Sequence, residues 1–213
     1  MRIMLLSVLI RKLKPLPMPG LFISFKRTGP NTWVFEKKLT AADGIKVYES
    51  NANFGSAVAL SADWLVIGAP GYDNGGSSQG SVFTFQAGTW AFEEEDTAAV
   101  DAVDGARFGK AVDVYGNYMI VGAPREQFSS ADGEGAVYLF RYGLDDWLPN
   151  VRIPNPNPEE FDQFGWSVSM SGDNVIVGMP QVKSSGSNLE GGAFIGAYDG
   201  NDDTDPGKAY IFK

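Results

Sequence analysis

The stretch "FGSAVALSADWLVIGAP", Phe54 to Pro70, decides the fold, because the chain states it twice more. "FGKAVDVYGNYMIVGAP" runs from Phe108 to Pro124, and "FGWSVSMSGDNVIVGMP" from Phe164 to Pro180. The copies align without a gap and recur at intervals of 54 and 56 residues. Such a period marks a solenoid, propeller or array, in which every unit buries its faces against its neighbours.

Each copy opens with a short alternating run (Val58 and Leu60; Val112 and Val114; Val168 and Met170). A two-residue turn signal follows: Ala62-Asp63, Gly116-Asn117 or Gly172-Asp173. A second run, "WLVIG", "YMIVG" or "NVIVG", completes a hairpin. The pairing expected is 57–61 with 64–69, 111–115 with 118–123, and 167–171 with 174–179. The second run is apolar at successive positions, so both of its faces are expected to be buried. Ala-Pro or Met-Pro then stops it, since proline cannot donate to a sheet ladder. A polar loop leads to a third strand, "SVFTF" (81–85) or "AVYLF" (136–140), and Trp90 or Trp147 opens a more charged fourth one. Those tryptophans recur with the repeat, which points to packing rather than ligand stacking. The fold class expected is all-β, a β-propeller or partial propeller of four-stranded antiparallel blades.

The repeat frame sets the organisation. "GLFISF" (20–25) matches the third-strand pattern, so a half blade spans 20–46 and blades follow near 54–107, 108–163 and 164–213. "GKAYIFK" (207–213) also reads as a third strand. Residues 181–206 read either as a loop insertion or as an extra hairpin. Residues 1–19 form a leader-like or disordered segment. Their apolar run, Ile3 to Ile10, is too short for a membrane span, and Arg11, Lys12 and Lys14 follow it without a cleavage signature. It fits a working signal peptide and a damaged one alike. At about 55 residues a blade the chain supplies fewer than four, whereas closed rings need four to eight. Other propeller segments or chains are therefore expected to complete it.

Composition narrows the chemistry. Among 213 residues there is no cysteine and no histidine, which removes disulfides, thiolate sites and the commonest general base. The net charge is −9, yet nine of the 17 Lys/Arg and only two of the 26 Asp/Glu lie in residues 1–46. The repeat region is thus strongly acidic and unsuited to nucleic acid.

Phe-Gly followed by Gly-Ala-Pro at 54–70 and 108–124, and by Gly-Met-Pro at 164–180, resembles the FG-GAP repeats, best known from the head of integrin α subunits. The resemblance covers about residues 20–213. It implies a β-propeller, extracellular or on the cell surface, that binds a protein or glycan ligand in adhesion and is not an enzyme. The integrin type carries a calcium loop between the first two strands. Here only "SADW", "YGNY" and "SGDN" stand there, too short to surround Ca²⁺ with oxygens. This is a compact variant, and the calcium role does not carry over to the hairpins.

Other clusters were weighed for chemistry. Asp199, Asn201, Asp203 and Asp205 alternate in "DGNDDTDPG" and form a candidate weak calcium site, against the reading of a solvated turn. "GSSQG" (76–80) matches a nucleophile elbow in letters alone, since it precedes a strand and the chain has no histidine. "EEED" (93–96) and "NPNPEEFD" (155–162) supply carboxylates. They leave open an alternative function: a carbohydrate-active hydrolase working through Asp/Glu pairs, or the accessory propeller of a larger enzyme.

Overall fold

The computed structural model describes residues 3–6, 21–40, 43, 51–73, 77–98, 103–127, 133–156, 158, 161–180, 192–197 and 210–212. They form strands throughout, arranged in four antiparallel sheets. The first sheet holds β1 (Ile3–Leu6), β2 (Leu21–Gly29) and β3 (Thr32–Thr40). The second holds β4 (Ala57–Leu60), β5 (Trp64–Ala69), β6 (Ser81–Gln86) and β7 (Phe92–Asp96). The third comprises β8 (Ala111–Tyr115), β9 (Tyr118–Ala123), β10 (Ala136–Gly143) and β11 (Asp146–Pro154). The fourth comprises β12 (Ser167–Ser171), β13 (Asn174–Met179), β14 (Gly192–Ala197) and β15 (Tyr210–Phe212). Every sheet is a meander in chain order, and the first strands β4, β8 and β12 lie side by side. This is a run of propeller blades. Among the described residues no strand pairing joins the fourth sheet to the first.

The three hairpins pair where their turn residues place them, with Ala57 opposite Gly68, Ala111 opposite Gly122 and Ser167 opposite Gly178. Two elements differ from the sequence reading. Ile3–Leu6, part of the leader-like segment, pairs with β2 and occupies the second-strand place of the first sheet. Four consecutive apolar residues suffice for that, because β2 offers a free edge. Tyr210–Phe212, the described part of 207–213, is not a third strand. "GAFIGA" at 192–197 takes the third place beside β13, and Tyr210–Phe212 pairs outside it as the fourth. Both stretches carry the same apolar pattern, and the one nearer in sequence closes on β13 first.

The second strands of the second and third sheets are buried on both sides, as their composition requires. In the fourth sheet β13 departs from that expectation: Val175 and Val177 are buried but Ile176 is 46 % exposed, because among the described residues no further sheet packs on that face. Leu65 and Ile67 pack toward Phe22 and Leu39 of the first sheet, while Trp64 and Val66 pack toward Phe108 and Val112 of the third. Ile120 faces Val175 and Val177 of the fourth sheet. The cores are therefore the seams between blades. A β-bulge recurs at one place in three sheets, between Ser24 and Phe25, Thr84 and Phe85, and Leu139 and Phe140. An extra residue on the outer strand there bends it and increases the local twist.

Candidate functional site

The residues that every copy shares build the joint between blades. In each, the backbone N–H of the residue after Phe-Gly donates to the carbonyl of the residue before it: Ser56 to Asn53, Lys110 to Arg107 and Trp166 to Gln163, all at 3.1 Å. Phe and Gly are thus the central pair of a turn, and the glycines have φ of +85°, +83° and +91°. That is type II geometry, which demands glycine at the second central position. The turn seats on the preceding blade. The Phe108 N–H donates to Gln79 O and the Phe164 N–H to Glu134 O, at 2.9 and 3.0 Å. A Cβ on Gly68 or Gly122 would overlap the carbonyl oxygen of Gly109 or Gly165 in the next blade. The Phe-Gly and Gly-Ala-Pro glycines are the two halves of one contact.

The fourth-strand tryptophans serve packing. Trp147 is fully buried, with ring centroids 5.3 Å from Trp64 and 5.4 Å from Tyr142. Trp90 is buried against Phe22, 6.1 Å away.

The acids of "EEED" are drawn into the seam between the second and third sheets. The Tyr142 hydroxyl donates to Glu93 Oε1 at 2.8 Å, and the Trp147 N–H donates to Glu94 Oε2 at 2.9 Å. Burial, and a hydrogen bond shared with Asp146, push Glu94 up to about 7. Asp96 is the odd member. It stands opposite Val82 where Leu39 stands opposite Phe22 and Ile153 opposite Val137, a core position in both other sheets. It is 6 % exposed and its Oδ2 meets no hydrogen-bond donor. Burial, followed by the charges of Glu94, Asp146 and Glu95, pushes it from 3.8 to about 8.

A carboxyl raised in this way makes stability depend on pH with a definite sign. Below about pH 4 both folded and unfolded chains hold the Asp96 proton. Between about 4 and 8 only the folded chain does, so stability falls as pH rises through that window, then levels off. The slope while Asp96 titrates is at most about 1.4 kcal/mol per pH unit, and Glu94 adds in the same direction. We expect denaturation midpoints to drop from pH 5 to pH 8, and Asp96→Leu to be more stable at pH 8 with a flatter profile. Parallel profiles for the two proteins would show that Asp96 carries no such charge cost.

A second buried polar group lies within the third sheet. Glu126, after the second Gly-Ala-Pro, accepts from the Tyr138 hydroxyl at 2.6 Å and from Arg152 Nε at 2.7 Å. Burial and then Glu126 hold the Tyr138 phenol above its usual range; burial lowers Arg152, but Glu126 and Tyr138 together outweigh it and raise it. The second sheet has Tyr72 against Phe83 at the same places, 5.8 Å between rings. Beyond it, Asn155 Nδ2 donates to Asp162 Oδ2 at 2.7 Å, where the preceding blade has Ala98 and Ala106. Glu126, Asn155 and Asp162 sit in the packing.

The two positions flanking Phe-Gly vary between copies and lie on the rim at that end. The residue after Phe-Gly is Ser56, Lys110 or Trp166, and the one before is Asn53, Arg107 or Gln163. Trp166 is 40 % exposed, and Lys110 Nζ stands 4.8 Å from its ring centroid. Arg125, next to the second Gly-Ala-Pro, donates its backbone N–H to Ala106 O at 3.1 Å and so lies beside Arg107. Sequence reading missed this rim. Its signal was present, because these are among the positions that change charge between otherwise matching copies.

The calcium candidates Asp199, Asn201, Asp203 and Asp205 lie outside the described residues. Among the described residues no group of three or more acidic side chains is placed to hold a metal ion, and no helix is long and apolar enough to cross a membrane.

A family model described as FG-GAP repeat matches residues 33–85, 91–140 and 147–195, more than half of the chain. No curated protein matches.

Proposed function

Because the chain belongs to the FG-GAP repeat family, we propose that it is a non-catalytic binding or adhesion module acting outside the cell or at its surface. FG-GAP repeats build propeller-type modules often used in adhesion or binding. The observation that carries this reading is the division of labour between positions. The residues identical in all copies, Phe-Gly and the strand-ending glycine, are spent on the joint between blades. The residues flanking that turn, Ser56, Lys110 and Trp166 with Asn53, Arg107 and Gln163, differ between copies and stand on one rim. A constant scaffold with a variable rim is how a repeat array presents a recognition surface. The ligand is a protein or a glycan, and further propeller segments or chains complete the ring.

An array of glycans and proteins probed with the purified chain tests the reading. Retention of a ligand that survives washing, without turnover of any saccharide, is the expected result. Release of sugar from an oligosaccharide, abolished by Glu94→Gln, would replace the module with the hydrolase.

A further inference from the structure

We propose that the rim where the third and fourth sheets meet is a binding site for an anionic saccharide: Trp166 stacks against a sugar ring, and Lys110, Arg107 and Arg125 hold its carboxylate or sulfate. This rests on the binding-module reading and names its ligand class.

Charge singles the place out. The chain carries −9 overall, with most of its acids in the repeat region, yet three cations converge here. Lys110 and Arg107 are the ends of one turn, joined by the Lys110 N–H to Arg107 O bond of 3.1 Å. Arg125 is tied to the residue before Arg107. Neither guanidinium has an ion-pair or side-chain hydrogen-bond partner among the described residues. Partial burial, together with the charge of Arg125, holds Arg107 below its usual value, as expected of like charges facing each other without a counter-ion. By contrast Arg152 is engaged by Glu126, the residue directly after Arg125. An array that pairs one arginine so closely and leaves two together unpaired has fork-shaped donors free for a planar carboxylate or a sulfate.

The aromatic face selects among anions. Trp166 keeps two-fifths of its surface exposed beside Lys110, whereas Trp64, Trp90 and Trp147 are all buried in seams. An indole held flat by a cation on one side offers its remaining surface to the apolar face of a sugar ring. A simple inorganic anion would use the guanidinia and leave the indole idle. Strands β8 and β12 fix the spacing, since both Lys110 and Trp166 directly precede them.

The test measures binding of the full chain to oligogalacturonate, which carries carboxylates, and to dextran sulfate, which carries sulfates, with uncharged dextran as control. Calorimetry near 0.1 M salt is repeated for Arg107→Asn with Arg125→Gln, and for Trp166→Ala. Asn53 fills the equivalent of position 107 at a φ of +54°, so Arg107→Asn (φ +59°) keeps the turn unstrained. Thermal melting checks that each variant keeps the wild-type fold. At least one of the two anionic saccharides should bind, dextran should not, and both variants should weaken binding at least about tenfold. No binding to either anionic saccharide would overturn the proposal. So would loss with the arginine variant but none with Trp166→Ala, which would mean mere attraction of polyanions. A different ligand found on the array whose binding ignores these substitutions would sink the rim site and leave the module reading intact. A blank array together with blank titrations would sink both.

Discussion

Gly122→Ala should lower the unfolding free energy by about 4 kcal/mol or more, the range reached only when packing or backbone is forced apart. The single added carbon would overlap the carbonyl oxygen of Gly165, and Gly165 is itself pressed against the backbone of Ala136. Neither partner is a side chain that could swing away, so the fourth sheet must lift from the third. The hydrophobic contact of Ile120 with Val175 and Val177 would be lost with it. Two substitutions of the same chemistry serve as controls. Gly143 has open space around it and no left-handed φ, so Gly143→Ala should be neutral or slightly stabilising, by up to about 1 kcal/mol. Gly178 meets chiefly the Ser167 hydroxyl, which can rotate, so Gly178→Ala should cost far less than Gly122→Ala. Chemical denaturation of the three proteins decides it; equal midpoints for Gly122→Ala and Gly143→Ala would refute the joint.

Glu126→Ala should cost about 3–5 kcal/mol, the usual penalty for stranding the partner of a buried ion pair. Glu126 is 1 % exposed and answers two donors, the Tyr138 hydroxyl and the Arg152 guanidinium. Its removal takes from both the carboxylate they share. Glu126→Gln keeps an acceptor for one of them and should fall between wild type and alanine. The second sheet suggests the rescue, since Tyr72 and Phe83 fill the matching places with an edge-on aromatic pair. Glu126→Tyr combined with Tyr138→Phe and Arg152→Met replaces the whole polar group by apolar contacts. It should recover most of the loss, because a buried ion pair seldom outperforms well-packed apolar groups of similar size. Urea midpoints measure all three. A triple variant no better than Glu126→Ala would mean the polar group stabilises beyond its own pairing.

The blades were readable in the sequence because their signals are local. A turn pair such as Gly116-Asn117 sets its hairpin within a dozen residues, and proline after the second strand sets its end. The two-sided burial of Leu65 with Val66 followed from composition alone. The places of Ile3–Leu6, which reads as leader-like, and of Tyr210–Phe212, which reads as a third strand and pairs as the fourth, depend on which sheet edge stands free, and no residue inside them says so. The rim cations escaped for a different reason. Arg107 and Arg125 are eighteen residues apart, and only the turn that ties Arg125 to Ala106 puts them together. Asp96 was read as one of four acids on an outer strand. It is buried opposite Val82, which belongs to the core shared with the third sheet, and nothing in its own run of acids signals that.

The Phe-Gly turn rests on the sheet before it in all three copies: Gly55 on Leu21, Gly109 on Ser81, Gly165 on Ala136. This gives the assembly a direction in time. A chain leaves the ribosome from its N-terminus, so each turn emerges to find its seat already built. The segment to be closed, from Gly80 to Phe108 or from Gly135 to Phe164, stays under thirty residues however many blades precede it, and loop-closure cost grows only slowly with such lengths. Growth therefore proceeds like a ratchet. Every completed blade exposes one fresh face, and that face accepts only the next arrival.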